Sequence, residues 1–277
     1  MTVSKTGDGR APANVDTSVA SIARVYDYAL GGKDHYEADR LTIEQVRKVA
    51  PEVPLLAVDN RAFLIRALRF LATQTDVTQF LDLGSGLPTA ENTHQVVQRL
   101  RPESRVVYVD NDPSVIAHGR ALLEDNEFTM FSAADIFDPE SVLGDPSIRR
   151  FLDFSRPIVL IQNGTLHHYA DPARSPQDIM ATYVDALPSG SYVVLAHFYD
   201  PEDDDSVLAR RMEDVFVHSP MGSGVFRTRA EIQGLFPGLE MVEPGLVVCA
   251  RWWPDGPLLK PLDPVQRCIA GGVGRKP

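Results

Sequence analysis

Four short segments of the 277-residue sequence place glycine, carboxylate or amide groups directly after apolar runs. The first is Asp82-Leu83-Gly84-Ser85-Gly86, the next two lead to Asp110 and Asp135, and the fourth ends at Asn163-Gly164. Positions 82, 110, 135 and 163 are separated by 28, 25 and 28 residues, close to the roughly 30 residues of a strand-helix-strand unit. Because ligands of open α/β sheets bind outside the carboxyl ends of the strands, we expect these groups to line one site.

The first and fourth segments suit a positively charged amino-acid group. Gly84 and Gly86 lack a Cβ atom, so this turn can adopt a positive φ and its backbone can approach a ligand closely. Asn163 and Gly164 offer carbonyl oxygens to an ammonium group, and Asp82 adds negative charge nearby.

The second and third segments suit a nucleoside. Asp110, which Asn111 follows, can accept hydrogen bonds from two ribose hydroxyls, as an acidic residue does beyond other nucleotide-binding glycine turns. Asp135 can accept a hydrogen bond from an exocyclic amine, and the amide N–H of Ile136 can donate to adenine. Together the four segments predict a site for S-adenosylmethionine.

A nicotinamide dinucleotide is the main competing ligand. The GxGxxG fingerprint of dinucleotide-binding proteins requires a third glycine at position 89, where this sequence has Thr89. Asp82 also places a carboxylate where pyrophosphate would dock. A phosphate loop of the GxxxxGK[ST] type is absent from the sequence. These features favour a sulfonium cofactor over a dinucleotide.

The elements that must position these groups begin with helices. We expect a flexible tail at residues 1–13, a helical N-terminal cap at 14–75 and a cofactor-binding domain at 76–277. Within the cap, two helices are expected to break at Gly31-Gly32, and a third to start from Asp59 as its N-cap.

From residue 78, runs rich in Val, Ile, Leu and Phe alternate with helical patterns. This alternation predicts an α/β fold with a doubly wound, mostly parallel sheet. The segment LEMVEPGLVVCARWW contains two strand-like runs around Glu-Pro-Gly, which predict a C-terminal antiparallel hairpin. The predicted strands are TQFLDL, RVVYVD, FTMFS, PIVLIQ and SYVVLAHF.

Composition narrows the class of partner. A net charge of −11 disfavours nucleic acid as a partner, although Arg61, Arg66 and Arg69 could form a local basic face. The sequence contains neither a membrane-spanning apolar run nor a secretory signal pattern, so we expect a cytoplasmic protein without membrane contact. Cys249 and Cys268 lack the spacing of a disulfide framework or a metal site. Composition leaves the oligomeric state open.

The motifs LDLGSG, VVYVDND, AADI and VLIQNGTLHHY resemble those of class I S-adenosylmethionine-dependent methyltransferases. More closely, segments such as ARVYDYALGGKDHYEADR and QFLDLGSGLPTAENTH are similar to a bacterial methyltransferase-like family formerly catalogued as a domain of unknown function. The resemblance implies a Rossmann-like, seven-stranded sheet and a helical lid in which Tyr28 and Gly32 could order around the cofactor. It also implies cofactor contacts at Asp82, Gly84, Gly86, Asp110, Asp135, Ile136 and Asn163.

Two adjacent histidines are the first candidates for catalysis. His167 and His168 follow the fourth strand, and a base is needed only when the methyl acceptor must lose a proton. His197 on the fifth strand could line the acceptor pocket. We expect S-adenosylmethionine-dependent methyl transfer to an unidentified small molecule, without a metal. A non-catalytic module that senses the cofactor and an NAD-dependent oxidoreductase are the alternatives.

Overall fold

A central sheet carries the site in the computed structural model, which describes residues 15–88, 91–122 and 126–277, with backbone alone at 120–122. The predicted tail at 1–13 and Thr89 lie outside these ranges. The strands are β1 (Gln79–Leu83), β2 (Arg105–Val109), β3 (Thr129–Ser132), β4 (Val159–Asn163), β5 (Tyr192–Phe198), β6 (Glu240–Met241), β7 (Val247–Val248) and β8 (Ile269–Arg275).

The first five strands are parallel and follow the spatial order β3-β2-β1-β4-β5. Successive strands are thus added on one side of β1 up to β3 and on its other side from β4 onward. Strand β8 then runs antiparallel to β5 along its whole length. The short strands β6 and β7 pair with successive parts of the other edge of β8, so the sheet is seven strands wide. The predicted doubly wound sheet with antiparallel C-terminal strands is therefore confirmed.

The predicted pairing of the C-terminal strands is wrong, because β6 and β7 do not form a hairpin with each other. Both pair with β8, with Glu240 opposite Arg275 and Val247 opposite Gly271. The segment IAGGVGR lacks the β-branched pattern of a strand, yet its glycines allow close packing. A Cβ atom at Gly271 would lie 2.8 Å from the ring of Phe63.

Ten α-helices are described. Two of them, separated at Gly31-Gly32, confirm the predicted break. The third begins at Pro54, so the prediction that Asp59 caps it is wrong; proline needs no N–H at a first helical position and opens the helix. The helices are α1 (Ile22–Ala29), α2 (Glu37–Arg47), α3 (Pro54–Gln74), α4 (Thr93–Leu100), α5 (Pro113–Leu122), α6 (Pro139–Gly144), α7 (Pro146–Phe151), α8 (Pro176–Ala186), α9 (Ser206–His218) and α10 (Arg229–Gln233).

Helix α3 is part of the main core. Its buried Phe63 packs edge-to-face on the fully buried Trp252, with ring centroids 5.4 Å apart. Arg66 donates from Nε to the carbonyl of Trp252 at 2.8 Å and from Nη2 to that of Cys249 at 2.7 Å. The N-terminal region is thereby joined to the C-terminal part of the chain.

Arg24 connects the first two helices to α5. Its guanidinium donates to the buried Asp39 carboxylate of α2 at 2.9 Å and to Ser114 Oγ of α5 at 2.9 Å. Ser21, the N-cap of α1, donates to Asp112 at the start of α5. Helix α1 is thus fixed beside the carboxyl end of β2, where the candidate site lies. None of the described helices has both the length and the apolar character that crossing a membrane requires.

Candidate active site

A cavity of about 460 Å³ lies at the carboxyl edge of the sheet, beneath α1 and α3. Its volume is within the roughly 300 to 1,000 Å³ of small-molecule sites. The residues predicted for the site and present on its wall are Asp82, Gly84, Gly86, Asp110, Asn111, Asp135, Ile136, Asn163, Gly164, His167 and His168.

The glycine turn after β1 is bonded to the end of β2. Gly84 and Gly86 have φ angles of 73° and 64°, which favour glycine. The N–H of Gly86 donates to Asp110 at 2.9 Å, and a second oxygen of this carboxylate accepts from the N–H of Asp112 at 2.9 Å. Asp112 caps α5, because its Oδ1 accepts from the N–H groups of Ser114 and Val115. These bonds fix the Asp110 carboxylate at the cavity wall.

Two carboxyl groups of the wall are held in surroundings that disfavour their charge. Burial raises the pKa of Asp82 to about 6, against the hydrogen bond from Thr93 Oγ1 at 2.6 Å and the nearby charge of Arg61. Burial also raises the pKa of Asp110 to about 6, although backbone N–H groups of Asp112 and Gly86 stabilise its charged form. A positive ligand would reduce the cost of ionising both groups.

Three buried oxygen atoms of the wall have no hydrogen-bond partner within the described residues. They are Asn60 Oδ1, Asn163 Oδ1 and Ser85 Oγ. A Cβ atom at Gly164 would lie 2.7 Å from Asn60 Nδ2, so this glycine lets α3 approach the end of β4. Because buried polar atoms normally find partners, these oxygens indicate a place for a polar ligand group.

The third strand end also reaches the cavity. The Asp135 carboxylate accepts a hydrogen bond from the N–H of Phe137 at 2.9 Å, which holds the turn after β3. The carbonyl of Ile136 accepts from the Tyr183 hydroxyl at 2.9 Å, so α8 supports the same turn. Asp135 and Ile136 therefore lie on a turn that hydrogen bonds hold in place, and both residues line the cavity.

The hydrogen bonds of the two predicted histidines differ. The N–H of Phe198 donates to His167 Nδ1 at 3.3 Å, so a neutral His167 carries its proton on Nε2. His168 Nδ1 instead lies 3.0 Å from Ser223 Oγ. Burial lowers the pKa of His167 well below its ordinary value and that of His168 to about 3. Both rings are consequently neutral near pH 7.

His197 is not among the residues that line this cavity. Its Nδ1 donates to the carbonyl of Phe198 at 2.6 Å, and its Nε2 accepts from Arg227 at 2.6 Å. Burial lowers its pKa to about 3, with the charge of Arg227 as a further cause. Both ring nitrogens of His197 are thus hydrogen-bonded to other protein groups, and the ring does not line the acceptor pocket as predicted.

Tyr28 and Gly32 are likewise not brought to this cavity. The Tyr28 hydroxyl donates to Glu44 of α2 at 2.9 Å. A Cβ atom at Gly32 would lie 1.9 Å from the Asp27 carboxylate, and Asp27 also accepts from the N–H of Asp34 at 2.9 Å. In this structure the Gly31-Gly32 segment therefore packs the junction of α1 and α2.

Helices α1 and α3 supply wall residues that sequence reasoning missed. Tyr26 of α1 accepts a hydrogen bond from Asn60 Nδ2 at 3.2 Å, and Arg61 donates to the carbonyl of Glu91. Asn60 lies three and four positions before Phe63 and Leu64, on the buried stripe of α3. A polar residue at such a position is the one signal that could have identified it.

No group of three or more His, Cys, Asp and Glu side chains in the described ranges is arranged to hold a metal ion. The cavity instead offers carboxylates at successive strand ends, the backbone of a glycine turn and unpaired amide oxygens. These groups fit a nucleoside joined to a cationic amino acid, which is the composition of S-adenosylmethionine.

Sheet order and site together define a Rossmann-like enzyme that binds a nucleoside cofactor. The family model for S-adenosyl methyltransferase matches residues 8–277, and the chain therefore belongs to this family. It is an S-adenosylmethionine-dependent methyltransferase, with S-adenosyl-L-methionine as its cofactor. The alternatives of a sensing module and an NAD-dependent oxidoreductase receive no support from these matches.

Two solved structures share the whole fold. A candidate methyltransferase from Thermobifida fusca YX is 42% identical, with a TM-score of 0.89 over 96% of this chain and 98% of that chain. A duf574 family protein from Streptomyces avermitilis MA-4680 is 35% identical, with a TM-score of 0.87 over 95% of this chain and 99% of that chain. No curated protein matches the sequence.

Proposed function

We propose that this methyltransferase acts on a small-molecule acceptor that binds in the cavity beneath α1 and α3. One observation carries the proposal. The cavity wall is polar at the ends of β1 to β4 and apolar beneath α1 and beside β5, so a single cavity offers both a cofactor end and an acceptor end. An acceptor must fit under the cap helices to reach the cofactor, which favours a small molecule over a polymer.

The charges of the wall suit the cofactor. S-adenosylmethionine supplies a methyl group already activated by a sulfonium charge, and it also carries an ammonium and a carboxylate. The charged wall residues are one guanidinium and four carboxylates, matching this excess of positive charge. They are Arg61, Asp82, Asp110, Asp112 and Asp135.

Individual contacts follow from the chemistry of each group. Asp110, with Asn111 beside it, would accept from the ribose hydroxyls, and Asp135 with the amide of Ile136 would hold the adenine. The unpaired Oδ1 atoms of Asn60 and Asn163 would accept from the ammonium. Gly84, Gly86 and Gly164 would let the backbone approach the cofactor, Asp82 would balance its positive charge and Arg61 would pair with its carboxylate.

The two histidines would have different roles. His167 has its Nδ1 lone pair engaged by the N–H of Phe198, so its Nε2 can only donate a hydrogen bond. His168 can keep its proton on Nδ1, toward Ser223, which leaves the Nε2 lone pair to accept a proton. We therefore assign the general base to His168 and the orientation of the acceptor to His167. The cap helices would exclude water and hold the two reactants in line.

Calorimetric titration tests the cofactor site. S-adenosylhomocysteine should bind and NAD should not. Asp110→Asn should weaken cofactor binding by about 1.5 to 3 kcal/mol, because a charge-assisted hydrogen bond is lost. The exposed Asp185→Asn serves as a matched control with unchanged affinity. Tight NAD binding without binding of S-adenosylhomocysteine would refute the cofactor site, and unchanged affinity in Asp110→Asn would refute the ribose contact.

A further inference from the structure

The acceptor end of the cavity, which we call the acceptor chamber, is lined by Val25, Leu56, Phe198, Phe216, Met221 and Ile269. These six apolar side chains come from the cap, from the ends of β5 and β8, and from α9 with the loop after it. No ionised side chain of the described wall belongs to this group. The wall carboxylates are in β1 or follow β2 and β3, and Arg61 is on α3.

Sheet order separates the two ends of the cavity. The strands follow β3-β2-β1-β4-β5-β8 across the sheet, so β2 and β5 are three strand spacings apart. At about 4.8 Å per spacing, the separation is about 14 Å. The cofactor carboxylates belong to the β3-β2-β1 side and the acceptor chamber to the β5-β8 side. His167 and His168 follow β4, at the boundary between them.

One wall of the acceptor chamber is a stack of flat rings. His167 lies 3.6 Å from Phe198 between ring centroids, with only 9° between the ring planes. Phe198 continues the stack to Phe226 at 4.8 Å and to Phe216 at 5.5 Å. A stack of this kind makes the wall aromatic and apolar, which suits another ring.

The two neutral histidines form a matched donor and acceptor. Their ring centroids are 4.3 Å apart on the same cavity wall. A hydroxyl group can accept from His167 Nε2, donate to His168 Nε2 and still keep a second lone pair for attack. A neutral amine has one lone pair, which the His167 donor would occupy. The pair therefore favours oxygen as the accepting atom.

We propose, resting on the methyl transfer proposed above, that the acceptor is a neutral, largely apolar ring compound that is methylated on a hydroxyl oxygen. In the reaction the new carbon–oxygen bond forms as the methyl–sulfur bond breaks, and the bonding pair stays on sulfur. As the carbon–oxygen bond forms, the oxygen becomes positive and its proton strongly acidic, so the proton can pass to the weakly basic His168 Nε2. The products are a methyl ether, neutral S-adenosylhomocysteine and a protonated imidazole that later returns its proton to solvent.

Binding of matched probes to the protein saturated with S-adenosylhomocysteine tests whether the acceptor is neutral. The neutral 2-naphthol should bind at least tenfold more tightly than the 2-naphthoate anion or the 2-naphthylmethylammonium cation, because the acceptor chamber has no counter-charge. It should also bind at least tenfold more tightly than 2-fluoronaphthalene, which lacks the hydroxyl. In His168→Phe this second preference should disappear, while 2-fluoronaphthalene still binds.

A matched pair of variants at Met221 tests whether the probe binds in the acceptor chamber. Met221→Glu should weaken 2-naphthol binding at least tenfold, and the similarly sized, neutral Met221→Gln should change it less than threefold. Affinity for S-adenosylhomocysteine should be unchanged in both, because Met221 is on the opposite side of the cavity from the cofactor carboxylates.

Several outcomes would overturn the inference while cofactor binding is intact. They are a charged probe that binds as tightly as 2-naphthol, no saturable binding of 2-naphthol, an equal affinity for 2-fluoronaphthalene, or equal effects of Met221→Glu and Met221→Gln. Failure of the wild-type protein to bind S-adenosylhomocysteine would instead contradict the proposed function itself.

Discussion

At the scale of single residues, Asp82 and Asp110 are kept in surroundings that disfavour their ionised forms. Burial raises the pKa of both carboxyls from 3.8 to about 6. For an acid whose pKa is raised by folding, the stabilising contribution is complete below its ordinary pKa and is lost as pH rises through about 6. At neutral pH the free protein therefore bears a destabilising charge that a cationic cofactor would relieve.

This charge makes cofactor binding depend on pH. Affinity for S-adenosylmethionine should increase between about pH 5 and pH 7, because binding favours the ionised carboxylates and releases their protons. Calorimetry at pH 6 in two buffers with different ionisation heats should show release of about one proton, since both groups are then about half protonated. S-adenosylhomocysteine, which lacks the sulfonium charge, should release fewer. Proton uptake on binding would contradict this account.

The buried histidines give a prediction that needs no acceptor. Long-range ¹H–¹⁵N NMR should show His167 with its proton on Nε2 and His197 with its proton on Nδ1, because their other nitrogens accept hydrogen bonds. Neither ring, nor that of His168, should titrate between pH 5 and pH 8, since burial lowers their pKa values. Unfolding in urea should restore titration near pH 6.5. Titration of all three in the folded protein would refute these assignments.

Some of the site could be predicted residue by residue, because strand ends in a parallel sheet are fixed by local pattern. Asp110 and Asp135 each follow an apolar run, and both are on the cavity wall. Asn60 and Arg61 lie on α3, and the contact of this helix with the end of β4 depends on tertiary packing at Gly164. A local sequence pattern does not predict such a contact. Tyr28 also depends on tertiary packing. The sequence around it did not show that its hydroxyl would donate to Glu44 of α2 and that its side chain would not line the cavity.

At the scale of elements, Arg24 determines how α1 is fastened. Arg24→Met should destabilise the protein by about 3 to 5 kcal/mol, because it leaves the Asp39 carboxylate buried without its partner. Urea unfolding measures this loss, and hydrogen exchange should quicken in α1 and α2. The matched control is Arg47→Met, which removes an exposed pair with Glu44 and should cost less than about 1 kcal/mol. Equal losses in the two variants would contradict the role of Arg24.

Strand β8 depends on close contact with α3. Gly271→Ala should cost about 1 to 3 kcal/mol, because the added Cβ would lie 2.8 to 3.0 Å from carbons of the buried Phe63 ring. Gly256→Ala, where a Cβ would meet nothing within 4 Å, should change stability by less than about 0.5 kcal/mol. Urea unfolding of both variants compares them directly. An unchanged midpoint in Gly271→Ala would show that this contact relaxes without cost.

The same contact explains why sequence reasoning identified β1 to β5 and missed β8. A strand buried on both faces is recognised by its branched apolar side chains, which β8 largely lacks. Its small residues are required by a helix that is distant in sequence. Similarly, Pro54 resembles the end of one helix from its neighbours alone, and only the packing of α3 shows that it opens the next.

At the scale of the whole molecule, the net charge of −11 is partly concentrated at the cavity. Four wall carboxylates face one guanidinium there. A field of this sign attracts a cationic ligand and speeds its association, an effect that added salt weakens. The charge that made a nucleic-acid partner unfavourable from composition is thus also suited to the cofactor.

The packing of α3 against β8 also sets the order in which the protein can complete its fold during synthesis. Helix α3 ends at Gln74 and β8 begins at Ile269, with 194 residues between them. At roughly 5 to 20 residues per second, a ribosome needs about 10 to 40 seconds to produce that interval. Meanwhile the surface of α3 that β8 and Trp252 later cover remains available to chaperones, proteases or a neighbouring nascent chain. Helix α3, although made early, is therefore among the last helices to be fully buried.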